Sequence, residues 1–385
     1  MAQNKRHPID PERHHRENGW DYRGRAIYHF TLPVEDRYPL FGTLEGECAE
    51  NAFVSLNSFG RSVCQMVCGL SQFYADKGFK LKLLAQKVMP DHVHLVIQVM
   101  EPLPQSIGAV VRGFKSGCTK VYKEMSVCSG ENSAEMHKNS EDGGAEEHGE
   151  IQKVPVQFAR IFARRGSIWQ ENPTHYHERI LHAPGQLQRM IDYVKDNPRR
   201  LWIKSHNPEL FKLHRRMESA GMLFTSLGNQ FLLDWPDSQT VEMSRRATEE
   251  EIQERLTSVL KAAHNGTVTY TVSISKGEQF IARSLREQGY PLVVLLNDGF
   301  PKEGSPHERY YKPGGFYFEA CSRGQLLLLE PTEQYFLDAG IQAAVEETLR
   351  RKANARHHSY TPIPVTSQRY RFVALNEMAK RLSSN

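Results

Sequence analysis

A short apolar segment with two alternating histidines constrains this chain more than any other feature of its sequence. The segment runs from Met89 to Ile97 and reads Met-Pro-Asp-His-Val-His-Leu-Val-Ile. Its β-branched and apolar residues predict a strand, and side chains two positions apart on a strand leave the same face. His92 and His94 therefore point the same way, while their apolar neighbours anchor the other face in a core. Two adjacent imidazoles supply half of a divalent-metal site.

A second informative segment lies well downstream. Apolar residues recur at helical spacing over residues 186–195, and Pro198 predicts the end of this helix. Tyr193 and Asn197 are one turn apart on it and therefore share a face. If that face lies over the two histidines, the amide oxygen of Asn197 supplies a third ligand. The Tyr193 hydroxyl then sits beside the metal.

These groups together predict a cut-and-rejoin reaction on DNA rather than simple hydrolysis. A metal polarises the non-bridging oxygen of a bound phosphodiester and stabilises the charge that develops at phosphorus. Attack by the Tyr193 oxygen would leave a covalent phosphotyrosine and free the other DNA end as a hydroxyl. Two imidazoles and an amide suit Mn²⁺ well and Mg²⁺ acceptably, so the expected cofactor is one of these two ions.

Further motifs accompany the histidine segment along the chain. They are Ile168-Trp169-Gln170, the run Tyr176-His177-Glu178-Arg179-Ile180-Leu181, and Tyr193 followed by Asn197-Pro198-Arg199. In this combination, residues 23–204 resemble the single-tyrosine HUH transposases, and most of all the branch called REP-associated tyrosine transposases.

The resemblance implies a fold and a set of residue roles. It implies a ferredoxin-like βαββαβ core, a metal held by the histidine pair on a central strand, Tyr193 as the nucleophile and Asn197 as a polar ligand. The chain departs from the family at two positions, because Asp91 stands where Asn is usual and Glu178 where Asp is usual. We expect Glu178 to serve as a structural carboxylate or as one in the shell of the metal.

Other interpretations of the same motifs stay open at this stage. Alternating histidines in a strand often only pack and form hydrogen bonds, and a Tyr before Asn-Pro is often a buried ring at a helix end. The alternative function is therefore a DNA-binding protein that keeps the HUH fold and performs no chemistry. A histidine-triad nucleotide hydrolase is nearly excluded, because Val96 occupies the place of its third histidine.

Basic residues flank the proposed tyrosine helix on both sides, although the net charge of the whole chain is only +4. Such residues neutralise phosphates and give affinity without sequence information. We expect the partner to be single-stranded or hairpin DNA, on which Trp169 would stack unless it is a buried ring. The expected DNA-binding residues are Arg164, Arg165, Trp169, Arg179, Arg199, Arg200 and Lys204.

Composition and pattern divide the chain into a tail, two domains and an insertion. Residues 126–153 contain seven acidic residues against two lysines and few large apolar ones, so we expect a flexible acidic insertion there. The expected parts are a basic N-terminal tail (1–22), the HUH domain (23–212) and an α/β Rossmann-like domain (213–385). The elements predicted in the HUH domain are strands at 25–31, 80–88, 92–99 and 157–163 and helices at 49–76 and 104–122.

The second half of the chain alternates strands with helices, which predicts a parallel sheet. Capping boxes open helices after Thr248 and after Ser275. The loop Ser275-Lys276-Gly277 either caps its helix or binds a phosphate. Buried strands are predicted at 267–274, 290–296 and 324–329. The arrangement distantly resembles the Rossmann-type domain of DNA-processing protein A, and the resemblance assigns no residue.

The remaining signals are weak and consistent with a reduced cytoplasmic protein. The six cysteines form no Cys-x-x-Cys pair, and the N-terminus lacks an apolar signal core. No apolar run approaches the roughly 18 residues that cross a bilayer, so no membrane role is expected. The oligomeric state is open, because a single-tyrosine site can be assembled within a monomer or across a dimer.

Overall fold

The structure is a computed structural model that describes residues 17, 19–135, 162, 166–170, 177–301, 315–355, 357 and 359–384. These residues form a mixed helix and sheet fold of the α+β class, as expected. The chain divides into two compact units, Met1–Ile203 and Lys204–Asn385. This division falls slightly before the boundary expected at residue 212.

The first unit combines strands with the helices that connect them. The strands are β1 Ala26–Pro33, β2 Gly42–Glu45, β3 Phe53–Leu56, β4 Leu81–Met89, β5 His92–Val99 and β6 His177–Ile180. The helices are α1 Ser58–Cys68, α2 Leu70–Ala75, α3 Ile107–Glu135 and α4 Gln186–His206, of which residues 204–206 belong to the second unit. An antiparallel sheet is formed in the order β4-β5-β1-β6, and β2 pairs with β3 in a separate hairpin.

Both faces of β5 are buried, and the alternating direction of its side chains decides which way its histidines face. Val93, Leu95 and Ile97 are 0% exposed and join the core formed with α1 and α3. Each such side chain contributes about 1.5–3 kcal/mol of burial free energy. Because neighbouring residues on a strand alternate in direction, His92 and His94 leave the opposite face of the sheet.

That opposite face is covered by α4. Met190 and Val194 of this helix pack against Val96 of β5 in a small apolar cluster. The helix was expected to end at Pro198, but it continues to His206 with Pro198 inside it. Proline in a helix interior removes one backbone hydrogen bond and costs about 3 kcal/mol. Pro198 is itself buried, and burial along this face offsets that cost.

The predicted helix over residues 49–76 is wrong in its first part. Phe53–Leu56 is β3, and α1 begins only at Ser58 because Asn57 caps it by accepting a hydrogen bond from the Gly60 N–H at 2.8 Å. Aromatic and β-branched residues before the cap favour the extended conformation. Gly69 then separates α1 from α2.

Two expectations concern the segment between α3 and β6. The helix α3 continues into the acidic stretch as far as Glu135, and residues 136–153 lie outside the described residues. The strand expected at 157–163 also lies outside them, except for Phe162, which is helical. The strand that completes the sheet is β6, which the sequence pattern did not predict.

The second unit has a sheet between two layers of helices. Its strands are β7 His214–Ser219, β8 Met222–Gly228, β9 Ser238–Val241, β10 Val268–Thr271, β11 Leu292–Leu295 and β12 Leu326–Pro331. Its helices are α5 Glu249–His264, α6 Lys276–Glu287, α7 Gly315–Ser322, α8 Ala339–Asn354 and α9 Gln368–Ser383. The strand order is β7-β8-β12-β11-β10-β9, in which β9 to β12 are parallel and β7 and β8 are antiparallel additions.

Apolar clusters on the two faces of this sheet assign the helices to layers. Residues of α5, α6 and α7 pack on one face, and residues of α8 and α9 pack on the other. The loop before α6 acts as a cap, since Ser275 accepts from the Glu278 N–H and Glu278 accepts from the N–H groups of Ser275 and Ile274. A buried carboxylate at this helix end disfavours phosphate binding there.

Candidate functional site

The histidine pair forms the centre of the candidate site. His92 and His94 are 7% and 1% exposed, and their Nε2 atoms are 3.0 Å apart. The two rings are nearly perpendicular, with centroids 4.7 Å apart. The structure therefore brings one nitrogen of each ring to a common point on the face of the sheet that α4 covers.

The other nitrogen of each ring has a partner of its own. Asp91 accepts a hydrogen bond from Nδ1 of His92 at 2.5 Å. Nδ1 of His94 lies 3.0 Å from Oγ1 of Thr31 and 3.0 Å from Nε2 of His29, both on the neighbouring strand β1. When each Nδ1 carries the proton, both Nε2 atoms present a lone pair to the same point.

Tyr193, on α4, lies beside His94. Packing of the helix on Val96 places the Tyr193 ring with its centroid 5.6 Å from that of His94 and 6.3 Å from that of His29. The interplanar angles are 77° and 88°, so both imidazoles meet the phenol edge to face. Residues that are far apart in the sequence thus meet in one site.

Asn197 is buried one turn after Tyr193. Its Nδ2 donates a hydrogen bond to the backbone carbonyl of Tyr193 at 2.8 Å. The amide nitrogen is therefore directed at the helix backbone, and the amide oxygen is the end of the side chain that can bind a metal. Binding of a metal by Asn197 stays a prediction.

The residues present fit a divalent ion of the Mn²⁺ type. Two nitrogen atoms bound at right angles to one ion, each at about 2.1 Å, lie about 3.0 Å apart. The two Nε2 atoms have this separation. Among the described residues, no group of three His, Cys, Asp or Glu side chains could hold a metal, so the histidines would need Asn197, solvent or a substrate oxygen as further ligands.

Glu178 lies on the wrong face of the sheet for the expected position in the metal shell. In β6 it is paired with Phe30 of β1, whereas His94 is paired with Thr31 of the same strand. Directly paired residues share a face, so Glu178 is on the face of Phe30 and His94 is on the other. For Glu178, the expectation of a structural carboxylate remains, and the expectation of a place in the metal shell does not.

Trp169 is not available for base stacking, and its assignment to DNA binding is wrong. The ring is 1% exposed and packs against Phe41 and Phe114 in the core. Its Nε1 donates to the backbone carbonyl of Lys115 at 2.9 Å. The core surrounds the large apolar ring and supplies an acceptor for its one polar atom. A buried tryptophan needs both.

The basic residues expected to bind DNA differ in their surroundings. Arg200 lies over the ring of Tyr193, with the guanidinium carbon 5.3 Å from the ring centroid. Arg199 forms two hydrogen bonds with Asp196, at 2.6 and 3.1 Å. Arg179 is exposed, and its pairing with His29 places it on the face of the site.

The remaining basic candidates are not part of this cluster. Lys204 belongs to the second unit, where its Nζ lies 5.9 and 5.6 Å from the ring centroids of Phe211 and Phe318. Arg164 and Arg165 lie outside the described residues.

Sequence reasoning missed three residues that touch the histidine pair. His29 and Thr31 contact His94, and Asp91 contacts His92. His29 and Thr31 are two positions apart in a predicted strand, which indicates a shared face. Only the pairing of β1 with β5 shows that this face is the one of the site.

Comparisons with known proteins add little to this geometry. No family model matches the chain, and no curated protein matches it. A solved structure from Deinococcus radiodurans R1, described as a "putative transposase", is 16% identical to it, with a TM-score of 0.23. The match covers 47% of this chain and 95% of that one. At this TM-score the likeness decides nothing about fold or activity.

Among the described residues, no helix is both long enough and apolar enough to span a bilayer.

Proposed function

We propose that the chain is a metal-dependent, single-strand DNA endonuclease and strand transferase of the HUH single-tyrosine type. The observation that carries this proposal is the contact of the Tyr193 ring with His94, which is paired with His92. The ring of Tyr193 lies 5.6 Å from that of His94, and Nε2 of His94 lies 3.0 Å from Nε2 of His92. A nucleophile beside paired metal ligands suits metal-assisted covalent cleavage of a phosphodiester.

The topology of the first unit supports the proposal. Its sheet has the chain order strand, helix, strand, strand, helix, strand, if the small hairpin β2–β3 is set aside. The spatial order β4-β5-β1-β6 is wholly antiparallel and places the two strands nearest the site, β1 and β5, in the middle. This arrangement is typical of a ferredoxin-like split βαβ fold.

The proposed reaction assigns a task to each residue of the site. His92, His94 and Asn197 would hold Mn²⁺ or Mg²⁺, which supplies Lewis-acid polarisation of a phosphate oxygen. The Tyr193 hydroxyl loses its proton as its oxygen attacks phosphorus, and a phosphotyrosine bond forms as the bond to the deoxyribose oxygen breaks. The DNA end that leaves takes a proton and becomes a hydroxyl. Rejoining is the reverse attack by a DNA hydroxyl on the phosphotyrosine.

Arg200 assists this step through its position. Its guanidinium lies over the Tyr193 ring, so it can stabilise negative charge on the phenol oxygen and then on the attached phosphate. The expected substrate is single-stranded or hairpin DNA at repeat ends, as in transposition or the mobilisation of repeats.

The decisive experiment is a search for the covalent adduct. The full chain is incubated with labelled single-stranded hairpin oligonucleotides, with and without Mn²⁺ or Mg²⁺, and resolved on a denaturing gel. We expect a metal-dependent adduct that disappears in Tyr193→Phe and is unchanged in Tyr335→Phe, which removes a hydroxyl from the second unit.

The same gel separates the proposal from its alternative. An adduct that persists in Tyr193→Phe would overturn the assignment of the nucleophile. DNA binding without any adduct, unaffected by Tyr193→Phe and by a chelator, would identify a DNA-binding protein that performs no chemistry.

A further inference from the structure

Asp91 occupies the turn between β4 and β5 and contacts two residues at once. Oδ1 accepts from Nδ1 of His92 at 2.5 Å, and Oδ2 accepts from a guanidinium nitrogen of Arg37 at 3.4 Å. The side chains of Arg37, Asp91 and His92 are 19%, 22% and 9% exposed, so water competes only partly for these bonds. The three residues form a chain of contacts that ends at the candidate metal site.

Arg37 is held in place by an unusual turn. The turn Glu35–Arg37 follows β1, and both Asp36 and Arg37 adopt positive φ angles, 50° and 54°. Such a conformation costs about 1–3 kcal/mol for a residue other than glycine and persists only where the surroundings impose it. Here the Val34 N–H donates to the Asp91 carbonyl at 2.8 Å, which ties the turn to the backbone of Asp91.

The two histidines therefore have partners of different charge. His92 has a carboxylate at Nδ1, whereas His94 has a hydroxyl and a second imidazole at this position. A carboxylate that accepts the Nδ1 proton fixes the tautomer, orients the ring and makes Nε2 a stronger metal ligand. A hydroxyl and an imidazole orient a ring without the negative charge of a carboxylate.

We infer that Asp91 is the positioning residue that makes His92 the stronger of the two imidazole ligands, and that Arg37 holds Asp91 in this position. The inference rests on the proposed function, because it concerns the same metal site. It goes further by assigning the affinity for the ion to residues that do not bind it. Loss of a partner of this kind lowers metal affinity by about 10–100-fold.

The test measures Mn²⁺ binding to the full chain by calorimetry, with Co²⁺ absorption as a second readout. Asp91→Asn keeps the shape of the side chain and removes its charge, and Arg37→Gln removes the group that holds it. Asp76→Asn is the matched control, because Asp76 is an exposed acid at the end of α2. Circular dichroism verifies that each variant is folded.

We expect Asp91→Asn to bind Mn²⁺ about 10–100-fold more weakly, Arg37→Gln to show a smaller loss, and Asp76→Asn to match the wild type. The Co²⁺ spectrum of Asp91→Asn should keep its shape at saturation, since the ligands are unchanged, whereas that of His92→Ala should not. Wild-type affinity in Asp91→Asn would overturn the inference and leave the proposed function standing. A wild-type chain that binds neither ion would overturn both.

Discussion

At the scale of single residues, the site depends on which atom of each side chain faces the common point. His92 and His94 direct their Nε2 atoms at each other, and the Tyr193 ring contacts His94 edge to face. Spacing in the sequence predicts that the two histidines share a face, because the strand period is two. It also predicts that Tyr193 and Asn197 share a helix face.

Residue spacing within one strand or helix does not predict the hydrogen-bond partners of the two imidazoles. Thr31 and His29 belong to a strand that lies more than sixty residues before His94. Their contact with His94 follows from the register of β1 against β5, and a shift of one residue would turn them to the other face. No local pattern determines that register.

Arg200 is the residue whose substitution tests the electrostatics of the site. Removal of a guanidinium that lies over an aromatic ring and faces a phosphate costs about 1–2 kcal/mol of transition-state stabilisation. We expect Arg200→Gln to lower the initial rate of adduct formation about tenfold, and Arg200→Lys to lower it less. The rate is measured on the denaturing gel at saturating Mn²⁺.

Arg199→Gln is the matched control for this prediction, because Arg199 is adjacent and is bonded to Asp196. If Arg199→Gln slows the reaction as much as Arg200→Gln, the effect is general phosphate attraction and not the contact with Tyr193.

At the scale of elements, long apolar strands were easy to predict and four-residue strands were not. The prediction of β1, β4 and β5 is confirmed within a few residues, because runs rich in apolar and β-branched residues favour the extended conformation. β6 is only four residues long, and its strand character comes from pairing with β1. The four-residue strand β3 lies inside the predicted helix 49–76, and the four-residue strand β2 was not predicted.

Trp169 provides the test at this scale, because it packs a short segment against α3. Trp169→Phe removes the hydrogen bond to Lys115 and part of the ring volume, so we expect a loss of about 2 kcal/mol in the free energy of unfolding. The affinity for single-stranded DNA should not change. Urea unfolding and fluorescence polarisation with a labelled oligonucleotide measure the two quantities.

Trp202→Phe is the comparison for this substitution, since Trp202 is half-buried and donates to the Gly46 carbonyl at 3.3 Å. We expect a smaller loss of stability there. Weakened DNA binding by a folded Trp169→Phe variant would show that Trp169 contributes to DNA binding.

At the scale of the whole molecule, the stability of the chain should depend on pH through an ion cluster in the second unit. Glu242 follows β9, and its carboxylate is 2.5 Å from Nζ of Lys352 in α8 and 2.9 Å from Nζ of Lys380 in α9. Burial raises the pKa of Glu242, but hydrogen bonds from the two lysines outweigh it, so the pKa is lowered. The pKa of Lys380 is raised by Glu377 and Glu242 in spite of its burial.

The sign of the pH dependence follows from these directions. A carboxylate with a lowered pKa stabilises the fold above its unfolded value of about 4.3, and the contribution is lost as pH falls through the folded pKa. A lysine with a raised pKa stabilises the fold below about 10.4 and loses that contribution as pH rises through the folded pKa. The cluster therefore stabilises the chain most between about pH 5 and pH 10.

We expect Glu242→Gln to lower the free energy of unfolding by about 1–3 kcal/mol at pH 7, with a difference from the wild type that shrinks below about pH 4. Urea unfolding at the two pH values measures it. Glu346→Gln is the control, because Glu346 and Arg350 form an exposed pair that should contribute close to zero. If the loss in the free energy of unfolding of Glu242→Gln were larger in acid than at pH 7, the lowered pKa of Glu242 would be contradicted.

The sequence predicted the sheet of the second unit only in part. Alternation of helices and strands predicted the three parallel strands β10, β11 and β12, whereas the fourth parallel strand, β9, was not predicted. The antiparallel strands β7 and β8 at its edge were not predicted, since nothing local indicates which sheet a short strand joins.

The sequence by itself determined the periodic elements and the four residues at the centre of the proposal, His92, His94, Tyr193 and Asn197, because strand and helix periods are local properties of the backbone. Only the tertiary structure decided that Tyr193 lies beside His94, that Trp169 is buried, and that Glu178 lies on the other face of the sheet. These outcomes depend on strand register and on the packing of α4, which are set by contacts between residues distant in the chain.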